Sequence, residues 1–151
     1  MRRALTIALA TCLVVVVTPG LAQRPETFTA RLEWVPIGGT ERNDVAGEGS
    51  LSAKLGGTNL TITGSFAGLP AKVTGAKLHA GVATGARGRG VVVAELQVTG
   101  AASGTVTGDV RLSPEQVAAL KAGQLYVQIY SEKGVPPDHS TLWGWLLPAR
   151  Q

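Results

Sequence analysis

The stretch FTARLEWV, residues 28–35, alternates between apolar and polar side chains. Phe28, Ala30, Leu32 and Trp34 share one parity, and Thr29, Arg31 and Glu33 share the other. A strand turns successive side chains to opposite faces, so this pattern predicts a half-buried β-strand. The pattern recurs down the chain with glycine between its occurrences. GSLSAKL alternates through Leu51, Ala53 and Leu55 and runs into Gly56-Gly57, a natural hairpin turn. NLTITGSFAGL supplies the return strand and is closed by Pro70, and GAKLHAG, GVVVAELQV and GTVTGDVRL read as three more. Thr63-Gly64, Thr74-Gly75, Thr99-Gly100 and Thr107-Gly108 read as turn punctuation, because their spacing has no fixed period. QLYVQIY and STLWGWLL form the last two strands, with SEKGVPPDH as the loop between them. Eight or so short strands with glycine turns predict an all-β protein, an antiparallel β-sandwich or barrel.

One segment breaks the pattern. SPEQVAALKAG sets Ser113 as N-cap, Pro114 at the first helical position, Glu115 in the first turn and Gly123 just past the end. Each placement suits the physics of a helix terminus, so a short connecting helix is expected here. The longest polar loop is VPIGGTERNDVA, residues 35–46.

The first 22 residues follow a different logic. Arg2 and Arg3 precede the uncharged run ALTIALATCLVVVVTPG, and Gly20 and Ala22 place small residues before a cut ahead of Gln23. This is the grammar of an export leader, residues 1–22, with residues 23–151 as one mature domain. The apolar run is shorter than the roughly 20 residues of a membrane helix, so no membrane span is expected after cleavage. Cys12 raises a lipoprotein alternative, but Thr11 stands where a smaller residue is expected. A secreted or periplasmic location follows.

The chain's single cysteine departs with the leader. The mature protein therefore has no thiolate for nucleophilic catalysis, iron–sulfur clusters or thiol zinc sites, and no disulfide. Loss of Arg2 and Arg3 leaves 12 basic residues against 10 acidic ones, a net charge of +2, scattered rather than arrayed in a stripe. No nucleic-acid partner is expected from that distribution.

The glycine-rich segment ATGARGRG, with Arg87 and Arg89, tests a phosphate-loop reading and fails it. A phosphate loop needs a lysine and a hydroxyl residue after its last glycine, and then a helix. Gly90 is followed instead by the β-branched run VVVAEL, so the segment reads as a connection between strands. Asp138, His139 and Ser140 supply the residue types of a hydrolase triad, but neighbours in sequence cannot relay a proton to one another across space. No enzymatic activity and no cofactor are expected. Tyr126, Gln128 and Tyr130 share one strand face, and Thr141, Trp143 and Trp145 share another. The tryptophans read either as cover for the core or as an exposed patch for a partner.

ARLEWVPI, Ala46-Gly47, KLHAG, ATGARGRG, VVVAEL, LKAGQLYVQIY and STLWGWL follow one another in an order that resembles the CHRD domain family. The resemblance runs from Phe28 to Leu146. It implies an immunoglobulin-like β-sandwich, with a barrel like that of copper–zinc superoxide dismutase as a variant, and no enzymatic activity. The family's polar cluster draws on two histidines around the Leu78 position, a third at the end of the Tyr-Val strand, and Glu and Arg in the last strand. The matching positions here hold Lys77, His79, Tyr130, Thr141 and Trp143, so His79 alone is kept.

The candidate ligand-binding residues are therefore Lys77, His79, Gln128, Tyr130 and Trp143, with an unknown protein or small ligand as partner. Such a set suits an organic or protein partner better than a bare cation. The alternative is a metal-binding or redox-accessory protein using His79, Asp138 and His139.

Overall fold

The computed structural model describes residues 25–81 and 90–150. The expected leader with Cys12, the cut after Ala22, and the glycine-rich connection with Arg87 and Arg89 lie outside the described residues. The described residues form strands β1 (Glu26–Trp34), β2 (Glu48–Gly56), β3 (Asn59–Ala67), β4 (Val73–Ala80), β5 (Val91–Gly100) and β6 (Gly104–Arg111). Helix α1 (Pro114–Lys121) precedes β7 (Leu125–Val135), β8 (Ser140–Trp145) and β9 (Leu147–Pro148).

The strands pair antiparallel in the order β2-β3-β6-β5-β4-β7-β8-β1, and β1 pairs back to β2. The ladder therefore closes into an eight-stranded barrel, with β9 lying along β1. This corrects the expected immunoglobulin-like sandwich of two separate sheets. The physical reason lies in two strands that change partners along their length. β1 pairs with β2 through Glu26–Leu32 and with β8 through Glu33 and Trp34. β5 pairs with β4 through Val91–Leu96 and with β6 through Gln97–Gly100. Each acts as a corner that joins one half of the wall to the other.

Alternation then decides which side chains fill the interior. Phe28, Ala30 and Leu32 of β1 meet Leu51, Ala53 and Leu55 of β2, Leu60 and Ile62 of β3, Leu78 of β4, Val127 and Ile129 of β7, and Leu142 of β8. All are buried. Burying such side chains contributes about 1.5–3 kcal/mol each for the larger ones, which is how a chain without a disulfide holds together. The β2–β3 hairpin turns at Gly57 and Thr58, with Gly56 still paired to Asn59. The expected turn is thus shifted by one residue, and Gly57 takes φ +63°, as a two-residue hairpin requires.

Of the four Thr-Gly dipeptides only Thr99-Gly100 sits at a turn; Gly64, Gly75 and Gly108 lie within strands. Gly64 and Gly108 share the parity of their strands' buried residues. A Cβ on Gly64 would stand 2.3 Å from the Ser50 carbonyl oxygen, and one on Gly108 would stand 2.6 Å from the Leu96 side chain. These glycines make room inside a curved wall.

Helix α1 begins as expected. The Ser113 hydroxyl accepts from the Gln116 N–H, and the Gln116 side chain accepts from the Ser113 N–H, which completes a capping box. Gly123 beyond its end adopts φ +70°. Leu120 is its one fully buried residue, so the helix acts as a connector rather than a layer. Among the described residues no helix is long and apolar enough to cross a membrane.

Candidate functional site

The outer faces of β4, β7 and β8 carry the polar and aromatic residues that alternate with the core. Register sets His79 opposite Tyr126 and Lys77 opposite Gln128 across β4–β7. It sets Gln128 opposite Trp143 and Tyr126 opposite Trp145 across β7–β8. These side chains point away from the barrel core, yet His79, Tyr126 and Tyr130 are buried.

Beside them β7 departs from regular pairing. Tyr130 and Val135 both stand opposite Ser140, so residues 131–134 bulge out of the ladder. The Ser131 hydroxyl donates to the Lys133 carbonyl, and the Thr141 hydroxyl donates to the same carbonyl at 3.0 Å, which closes the bulge on itself. The segment expected to be a loop from Ser131 is therefore strand as far as Val135. The Pro136–His139 turn follows. Val135 packs with Val35 and Val45 in a small second core that Ile37 and Trp143 complete. The polar loop 35–46 thus anchors this overhang through its apolar residues.

Between overhang and wall lies a cleft of about 240 Å³. Its lining includes His79, Gln128 and Trp143 from the wall and Pro136, Pro137 and Asp138 from the overhang. Three of the five expected ligand-binding residues are brought together there. Tyr130 stands behind His79 and reaches the cleft through it. Lys77 does not line the cleft: its ammonium sits 3.0 Å from the Glu95 carboxylate and 5.8 Å from the centre of the Tyr130 ring.

The floor is a hydrogen-bonded network of defined polarity. His79 Nδ1 lies 3.2 Å from the Gly90 carbonyl oxygen, which can only accept, so Nδ1 carries the proton. In the neutral imidazole Nε2 is then the acceptor, and the Tyr130 hydroxyl donates to it at 2.9 Å. The Gly90 N–H donates to the Tyr126 hydroxyl at 2.8 Å. The His79 and Tyr126 rings stack with centres 4.9 Å apart and planes within 7°. Trp143 and Trp145 meet Tyr126 at 5.8 and 4.9 Å with steeply inclined planes. Both tryptophans are half-buried, between the two readings of the sequence.

Burial lowers the pKa of His79 below its ordinary value, and the Lys77 ammonium acts in the same direction. The bond to Gly90 and the Asp138 carboxylate oppose the shift. Burial raises the pKa of both tyrosines, so the network at neutral pH consists of uncharged groups. A pH dependence of stability follows. The unfolded chain protonates His79 near 6.5, whereas the folded chain does so only at lower pH. Between those values the unfolded chain holds more protons. The His79 contribution is therefore complete above pH 6.5 and is lost as pH falls through the folded value. Melting temperatures measured between about pH 8 and about pH 5 should fall, and His79→Gln should remove part of that fall. Equal declines in parent and variant would show that His79 does not contribute.

The metal alternative finds no assembled ligand set. Among the described residues no group of three or more His, Cys, Asp or Glu side chains is placed to hold an ion. His139 is exposed with φ 57°, and it is not among the residues that line the cleft with His79 and Asp138. Both ring nitrogens of His79 are committed to protein partners. Sequence reasoning missed Tyr126 as a site residue, together with Gly90 and the two prolines. The one available sign was that Tyr126 shares a strand face with Gln128 and Tyr130.

A family model, that of the CHRD domain, matches residues 28–136, which takes in β1 to β7 and stops short of β8. No curated protein and no solved structure matches the chain.

Proposed function

The chain belongs to the CHRD domain family, and from that premise we propose that it is an exported, non-enzymatic binding module whose ligand site is the cleft under the β7–β8 overhang. One observation carries this reading. Side chains that face away from the core are nonetheless buried and hydrogen-bonded in advance, and they form the floor of an open cleft beside a half-buried tryptophan. Such preorganisation lowers the cost of binding. The chemistry of the floor supports a role without catalysis. His79 has no ring nitrogen left to take a substrate's proton, and the tyrosines are held in their neutral form. At about 240 Å³ the cleft is smaller than the roughly 300–1,000 Å³ of sites for drug-sized ligands. Its occupant is then a single ring or one side chain of a partner.

The test is a two-dimensional amide NMR titration of the mature chain with benzamide, phenol and indole. Concentration-dependent shifts are expected at Gly90, Gln128, Val135 and Asp138 and at the Trp143 indole N–H, with Thr61 and Thr63 of β3 unmoved. Shifts centred elsewhere, or none with any of the three, would remove the cleft as the site.

A further inference from the structure

The occupant's charge follows from which groups the cleft presents. Among the described residues that line it, Asp138 is the sole ionised side chain once His79 is neutral. Lys77, expected from the sequence to belong to the site, is paired with Glu95 and lies outside the lining. Gln128 adds an amide on the floor, and the Trp143 ring and the Pro136–Pro137 pair supply flat apolar surfaces. Although the chain as a whole is basic, the described lining of this cleft holds one carboxylate and no lysine or arginine.

We propose that the cleft takes a small planar organic cation, an amidinium or guanidinium, lying against Trp143 with its N–H groups on Asp138 and Gln128. This rests on the cleft being the binding site. A flat, delocalised cation suits the arrangement better than a compact ammonium. It stacks on an aromatic face, and it offers several N–H donors in one plane to a carboxylate and an amide oxygen. Asp138 is poised to receive it. Among the described residues the one hydrogen bond to its carboxylate is from the Ser140 N–H at 3.4 Å, at the long end of hydrogen bonding. The carboxylate's field also reaches the floor, where it acts on His79, Tyr126 and Tyr130. Electrostatic complementarity of this kind sets specificity more than raw affinity.

The same NMR titration decides it, with benzamidine against benzamide and with N-acetylarginine methylamide against its citrulline counterpart. Each cation is expected to bind about tenfold more tightly than its neutral partner. Asp138→Asn keeps the acceptor for the Ser140 N–H and should erase that difference by weakening the cations toward their neutral partners. Tighter binding of benzamidine assigns the site to a free small molecule; tighter binding of the capped arginine assigns it to a side chain of a protein partner. Equal binding of cation and neutral partner, or a preference that survives Asp138→Asn, overturns the cation assignment while leaving the cleft as a site. Absence of any shift at the cleft with all of these compounds overturns both.

Discussion

Replacing Gly144 with alanine should destabilise the protein by about 3 kcal/mol, although the change adds a single methyl group. Gly144 lies on the inward face of β8 between Leu142 and Leu146, both fully buried. A Cβ there would stand 2.3 Å from the Arg31 carbonyl oxygen and 3.0 Å from the carbon that bears it. Those atoms belong to the backbone of β1, which is paired with β2 on its other side, so they cannot swing away as a flexible side chain would. This is the seam where β8 passes β1 and the barrel closes. The added methyl must therefore push two strands apart at the join.

A melting temperature lower by about 10 °C is the expected readout. Gly56→Ala is the matched control, because a Cβ on Gly56 meets nothing within 4 Å. That change should be neutral or stabilising by about 0.5 kcal/mol through the unfolded chain. If the two variants melt within about 2 °C of each other, the seam is not as tight as the geometry requires.

The same seam marks the limit of what the residues announce on their own. Alternation in β1, β2 and β3 was legible because one face is core and the other solvent, and the ends of α1 were legible because Ser113, Pro114 and Gly123 each satisfy a backbone requirement. Closure was not legible. β1 and β5 change partners partway along, and no residue type marks the change: β1 alternates as far as Leu32 and then exposes both Glu33 and Trp34 where it meets β8. A sandwich and a closed barrel therefore share one pattern of side chains. The Thr-Gly pairs misled for a related reason, because glycine inside a curved wall and glycine at a turn look alike in sequence.

The candidate site divides in the same way. Parity placed Lys77 and His79 on one face, and Gln128 and Tyr130 on another, but only register shows which of them meet. Lys77 falls opposite Glu95 and is drawn out of the cleft. The overhang was invisible because residues 131–134 leave the β7–β8 register while Ser131 stays paired to β4, and two hydroxyl groups far apart in the sequence pattern close the bulge on the Lys133 carbonyl.

The second large effect concerns the network beneath the cleft. His79→Ala should cost about 3 kcal/mol, more than the loss of one hydrogen bond. It removes a ring stacked on Tyr126, and it leaves the buried Tyr130 hydroxyl without its acceptor. It also frees the Gly90 carbonyl. Tyr130→Phe should cost about 1–2 kcal/mol, because it strands Nε2 as an unpaired acceptor in a buried place.

The double variant is the informative one. Once either partner is gone, removing the other no longer abandons a polar group, so the combined loss should fall short of the sum by about 1 kcal/mol. Chemical denaturation of the parent, both single variants and the double variant closes this cycle. Strict additivity would mean that Tyr130 and His79 stand side by side without depending on each other. The cleft floor would then lack the rigidity that the binding reading requires. A shortfall of the expected size would show that the two side chains act as one unit, held by a proton on Nδ1 and a hydroxyl aimed at Nε2.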